Sequence, residues 1–245
     1  LVSFVHKKEQ KDKIEALKCL KECSKSPKNK ALLRKACFIE TLIPYLLPDN
    51  ENVQCLALDV LTVVTFNDQE SQQAIRDAKG IPAVVQLTSS SKVEVKKRAV
   101  RTLGAICGNN RKIQAMLKKM KAIPGVVALL GHAEEEVQKA AAGCVAAIAD
   151  NDFNNQNAVR KAGGVRLLIA QLSCNNDSVK EQACAALRAL AKSNSKVQTD
   201  VREGNALKIL VDLLSSPSES VLIHATGAVP LLSLFLTIPH SLFFV

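Results

Sequence analysis

The sequence predicts an all-α fold in which similar helical units stack along one axis, and three observations carry that prediction. The first is a period of 42 residues that runs through five copies without a slip. Val53, Val95, Val137, Val179 and Val221 form one series, and Ala57, Ala99, Ala141, Ala183 and Ala225 a second. Ile39, Ile81, Ile123, Val165 and Leu207 form a third. A fixed period between about 20 and 50 residues marks stacked supersecondary units, each stabilised by its neighbours, rather than a globular enzyme. The second observation is an i, i+4, i+5, i+8, i+11 apolar stripe, as in Val95, Ala99, Val100, Leu103 and Ile106, with no sustained period-two alternation anywhere. The third is composition. Apolar residues make up 47% of the chain, yet there is no Trp, one Tyr and seven Phe, so the core is Ala, Val, Leu and Ile. Eight Pro and ten Gly are too few for a disordered or loop-rich chain.

Each unit reads as three helices. The first is the stretch 71–80, with counterparts at 155–164 and 29–38. It carries a Gln column (Gln72, Gln114, Gln156, Gln198) and an apolar one (Ile75, Leu117, Val159, Val201), and ends in some copies at Gly80 or Gly164, as expected just past a helix C-terminus. The second opens on Ile81-Pro82 or Ile123-Pro124, where proline loses no hydrogen bond, and continues as a nearly unbroken apolar run that predicts burial on most sides. A polar loop with N-cap residues follows, such as Pro48-Asp49-Asn50 or Asn175-Asn176-Asp177. The third helix is the longest and carries the stripe. The period sets units at 27–68, 69–110, 111–152 and 153–194, an incomplete one at 195–230, a partial N-terminal one (a third helix) at 1–26, and an apolar tail at 231–245.

The order of helices, the 42-residue length and the opening Asn155-Gln156-x-Ala158-Val159-Arg160-x-Ala162-Gly163-Gly164-Val165 resemble the armadillo repeat over about residues 27–228. The resemblance implies a right-handed α-solenoid whose third helices line a concave groove for extended peptides of partner proteins. In the nuclear-import adaptors of that family, Trp and Asn ladders stand on the third helix. Here the Trp column falls on Asp59, Arg101, Gly143, Ala185 and Gly227, and the Asn column on Val63, Ala105, Ala147, Ala189 and Leu231, so both ladders are missing. The chain is more similar to the β-catenin style, in which basic groove residues meet acidic peptides. A looser resemblance is to animal proteins that join ankyrin and armadillo repeats, although no ankyrin repeat is present.

Net charge is +10 and unevenly spread: residues 1–35 carry +7 and residues 92–121 carry +9, with Glu94 the single acid of the latter. Such patches suit an acidic partner, or are simply solvated helix surface. On the third helix Arg98 and Arg101 lie one turn apart with Lys97 beside them. These three are the expected partner-binding residues, because guanidinium groups form charge-assisted bonds to carboxylates. A second basic column, Arg34, Arg76, Lys118, Arg160 and Arg202, is explained by favourable interaction with first-helix C-termini.

No phosphate-cradling loop, HExxH motif, nucleophile elbow or Ser/His/Asp set occurs, so the expectation is a non-enzymatic interaction scaffold without catalytic, cofactor or metal residues and without a small-molecule substrate. The alternative is binding of nucleic acid or an acidic membrane surface through the basic patches. Few aromatics are available for base stacking, which counts against nucleic acid. The eight cysteines fall at small core positions such as Cys107 and Cys184, or as Cys19, Cys23 and Cys37 with only His6 nearby, which does not make a zinc site. Unpaired buried thiols fit a reducing, intracellular compartment, cytoplasmic or nuclear. The chain begins at Leu1 without a signal-peptide pattern and reads as part of a longer protein. After Glu219 no Asp, Glu, Lys or Arg appears, and Pro230 is expected to interrupt the last third helix. The tail from Leu231 is too short and too broken for a membrane span and reads as a truncated or alternatively spliced end. Self-association through that apolar end is the expected consequence.

Overall fold

The structure, a computed structural model, describes residues 10–47 and 50–233, and among them there is no strand. The first third-helix, α1, spans Gln10–Cys23. Three-helix units then follow in register: α2 (Pro27–Lys35), α3 (Phe38–Leu42) and α4 (Glu51–Thr65); α5 (Gln69–Asp77), α6 (Ile81–Leu87) and α7 (Val93–Cys107); α8 (Arg111–Lys119), α9 (Ala122–Ala128) and α10 (Glu135–Ala149). The last two are α11 (Phe153–Lys161), α12 (Gly164–Leu172) and α13 (Asp177–Ala191), then α14 (Ser195–Glu203), α15 (Ala206–Asp212) and α16 (Glu219–Ser233). Each long helix packs on the next, α1 on α4, α4 on α7, α7 on α10, α10 on α13 and α13 on α16, which makes the fold an all-α solenoid. The buried stripe of α7 is Val95, Ala99, Val100, Leu103 and Ile106, and it recurs in α13 as Val179, Ala183, Cys184, Leu187 and Leu190. One continuous core results, because each unit's stripe is covered by its own second helix and by the neighbouring units.

The first helices start earlier than the apolar pattern alone indicates. Asp68, Asn110, Asp152 and Asn194 cap α5, α8, α11 and α14, each accepting a backbone N–H three residues on. The corners between first and second helix turn on left-handed residues at Cys37, Lys79, Lys121, Gly163 and Asn205, again 42 apart. The glycines Gly80 and Gly164 follow this position rather than occupying it, and Gly80 has a φ of −77°. They are glycine for space: a Cβ at Gly80 would lie 2.8 Å from Ile75 Cγ1, and one at Gly164 2.6 Å from Val159 Cγ1. A second left-handed column, Asn67, Asn109, Asn151 and Ser193, closes the third helices, and Asn is the side chain most often tolerated there.

The expectation of a break at Pro230 is overturned: α16 continues through it to Ser233, the same fifteen-residue length as α4, α7, α10 and α13. α16 packs on α13 as the earlier long helices pack on one another. Residues 231–233 of the apolar tail complete that helix, and the remainder lies outside the described residues.

Candidate functional site

The expected binding residues sit on α7, but they face acids of the chain itself. Lys97 Nζ is 2.7 Å from Glu94 Oε1, and Arg98 pairs with the other oxygen of the same carboxylate. Arg101 pairs with Asp59 Oδ1, Arg98 Nε approaches that oxygen at 3.4 Å, and Lys21 Nζ donates to Asp59 Oδ2 at 2.9 Å. Asp59 stands in the column of Arg101, one unit earlier on α4, and its side chain is only 7% exposed. Three cations, one from α1 and two from α7, thus converge on one buried carboxylate of α4. Hydrogen bonds from Lys97 and then Arg98 hold the Glu94 carboxyl below its ordinary range. Burial works against the charge of Arg98, and the Glu94 hydrogen bond together with neighbouring negative groups outweighs it, so its pKa is raised. Among the described residues Lys21, Lys97, Arg98 and Arg101 pair with Asp59 and Glu94, so the cluster keeps a positive excess, presented chiefly by Arg101, which is 51% exposed.

Beside Arg101 the wall of long helices opens into a hollow of about 390 Å3. Its floor is made of small residues, Gly104, Ala105 and Gly108 on α7 and its C-cap, and Gly143, Cys144 and Ala147 on α10. Gly104 permits the close approach of the two helices, since a Cβ there would lie 3.2 Å from the Cα of Cys144. Arg101 and Lys139 stand at the rim with the side chains of Phe66 and Gln182, and no acid lines the hollow.

The chain matches the Armadillo/beta-catenin-like repeat model at residues 68–108 and 152–192. A designed armadillo repeat protein superposes with a TM-score of 0.84 at 26% identity, covering 94% of this chain and 98% of that one. The chain carries armadillo repeats. Another designed armadillo repeat protein, solved in complex with the peptide (KR)4, has a TM-score of 0.84 at 25% identity over 94% of this chain and 97% of its own. An engineered protein reaches 0.88 at 25% identity over 94% and 96%. No curated protein is significantly similar in sequence.

Within this armadillo array the Gln column proves to be a staple between repeats. Gln72 Nε2 donates to the carbonyls of Thr65 in the preceding long helix and of Ala105 and Gly108 in the next. Gln114 reaches Ala147 and Asp150, and Gln156 reaches Ala149, Ala189 and Lys192, in the same way. Asn110 and Asn194, the caps one repeat on, donate in turn to the Oε1 of Gln72 and Gln156. The recurrence of Gln between apolar neighbours was the available signal, and its partners were invisible because they lie 33–38 residues away.

The second basic column also acts between armadillo repeats, which corrects the helix-terminus account at two positions. Arg34 bridges to Asp68 at 2.8 Å and to Glu70, and Arg160 to Asp200 at 2.7 Å. Arg76 and Arg202 stay local, with Asp77 and Thr199. All eight cysteines are unpaired. Burial raises the Cys55 thiol and pushes Cys184 up to about 12. A hydrogen bond with Cys107 and burial raise Cys144, so these three thiols stay protonated at neutral pH. Among the described residues no cluster of three or more His, Cys, Asp or Glu side chains is arranged for a metal, and no helix is long and apolar enough to cross a membrane.

Proposed function

We propose that this armadillo array is a non-enzymatic, intracellular scaffold that binds an extended, acidic segment of a partner protein along its long-helix wall, with Lys97, Arg98 and Arg101 contacting carboxylates. The observation that carries the reading is the positive excess at Asp59, where four cations face two acids beside a hollow that no acid lines. The designed relative binds a lysine–arginine peptide. With cations on this chain's wall, charge complementarity calls for a peptide of the opposite sign. Asp59 and Glu94 hold the guanidinium groups in place before a partner arrives, which lowers the side-chain ordering that binding would otherwise require.

The test follows from the same geometry. Charge reversal at Arg98 and Arg101 would set two new carboxylates against buried Asp59 and destabilise the fold by about 1–3 kcal/mol, less than a fully buried pair because Arg101 is half exposed. The triple variant Asp59→Asn/Arg98→Gln/Arg101→Gln removes the buried charge together with its two guanidinium partners and leaves only the partly exposed Lys21. Fluorescence anisotropy with alternating Asp–Glu and Lys–Arg peptides would compare it with the native chain. Selective binding of the acidic peptide, lost in a triple variant of unchanged circular dichroism, is expected. Equal binding of both peptides, or binding that survives in the variant, refutes the assignment.

A second reading is favoured by α8, where Arg111, Lys112, Lys118 and Lys119 are all exposed on a helix without an acid. Such a face suits nucleic acid or an acidic membrane surface. Binding through it would fall steeply with salt, whereas a groove peptide held partly by apolar contacts would tolerate salt better.

A further inference from the structure

We infer that the hollow between α7 and α10 is an anchor pocket for one large apolar side chain, preferably aromatic, of a partner segment that carries carboxylates on either side of that residue. The inference rests on the groove reading above and adds a side-chain specificity to it.

The pocket exists because of what two sequence columns lack. At the positions one turn apart along each long helix, Arg101 and Ala105 on α7 and Gly143 and Ala147 on α10, three of four side chains are absent or a single methyl. Gly104 and Gly108 add no side chain, so the floor lies close to backbone. The exposed lining is overwhelmingly carbon, and the volume of about 390 Å3 falls in the range of ~300–1,000 Å3 typical of ligand pockets.

Phe66 supplies a second, independent observation. It follows the C-terminus of α4, lines the hollow, and is 61% exposed, although an aromatic ring gains most when covered. An incoming ring on the floor would have the Phe66 ring at its edge. Charge then selects the flanking residues: Arg101 and Lys139 rise from the rim, and the one other polar side chain there besides those of Thr62 and Asn67 is Gln182, which is neutral. A peptide with carboxylates before and after its anchor would meet a cation from each helix, whereas a basic peptide would be repelled at both.

The decisive experiment uses three synthetic peptides on the whole chain: an alternating Asp–Glu peptide with a central Phe, the same peptide with Ala in its place, and a Lys–Arg peptide with the central Phe. Full burial of a phenyl group corresponds to about a ten- to hundred-fold gain in affinity. The acidic Phe peptide should therefore bind about tenfold or more tighter than the Ala peptide, and the basic one least. Ala147→Leu, which fills the floor from a helical position, should abolish the difference between the two acidic peptides. Phe66→Ser, at an exposed position outside any helix, should reduce the difference and serves as the second variant should Ala147→Leu fold poorly. Equal affinity of the two acidic peptides overturns the anchor pocket and leaves the acidic-segment reading intact. Binding of neither overturns both, and a basic Phe peptide that binds as tightly as the acidic one overturns the charge selection.

Discussion

Asp152→Asn should stabilise this protein, although it replaces one good helix cap by another. Gln114 is 1% exposed, and its Oε1 has no hydrogen-bond partner. One repeat to either side, the equivalent oxygens of Gln72 and Gln156 accept from Asn110 and Asn194, each at 3.1 Å. The residue that should serve Gln114 is Asp152, which as a carboxylate has nothing to donate. A buried acceptor without a partner costs about 1–3 kcal/mol. As caps, Asp and Asn rank alike, and Asp152 Oδ1 accepts from the Asn155 N–H at 2.9 Å, a bond that the Asn side-chain oxygen retains. Losing the negative charge at the N-terminus of α11 removes about 0.3–1 kcal/mol. The difference is a net gain of about 1 kcal/mol, or a rise in Tm of about 2–4 °C for a chain of this size. Urea unfolding at moderate salt, where the charge term is screened, measures it as a higher midpoint at an unchanged slope. The reciprocal variants Asn110→Asp and Asn194→Asp should each cost about the same amount. Stability that does not rise in the first variant, together with no loss in the other two, would refute the account of the Gln–Asn staple.

Three further outcomes are expected. Gly125→Ala, with nothing within 4 Å of its new Cβ, should gain up to about 1 kcal/mol, whereas Gly104→Ala should lose stability despite the same gain in helix propensity, because α7 and α10 must move apart; equal effects in thermal melts would contradict the packing. Burial alone would raise the Asp68 carboxyl, but bonds from the Ser71 backbone and hydroxyl and the Arg34 guanidinium outweigh it and hold its pKa below the ordinary value. A carboxylate depressed in the folded state contributes stability that is fully present above its unfolded pKa of about 3.9 and is lost as pH falls through the folded value. Asp68→Asn should therefore flatten the stability–pH curve in that acid window, and an unaltered slope there would argue against the pairing. Leu222 and Ile223 are exposed on α16, and Ile223→Lys should lower the average mass in sedimentation at high protein concentration if the C-terminal end self-associates as proposed; an unchanged distribution would place any association elsewhere.

The class of fold was legible in the sequence because an armadillo array repeats its own solution. Val53, Ala57 and their counterparts recur every 42 residues since each long helix must present the same buried stripe to the next, and a local periodicity is enough to read that. Lys97, Arg98 and Arg101 could be picked out on one helix face for the same reason. What those residues touch was not legible. Asp59 lies 42 residues before Arg101 and became its partner only when α4 packed on α7, and Lys21 arrived from a third helix. The Gln staples, the Arg34 and Arg160 bridges and the hollow beside Phe66 likewise depend on distances between repeats. Side-chain type and spacing determine which face a residue occupies within one helix. The stacking of repeats alone decides which charges meet, which acceptor is left without a donor, and where the small residues of two helices leave room for something else.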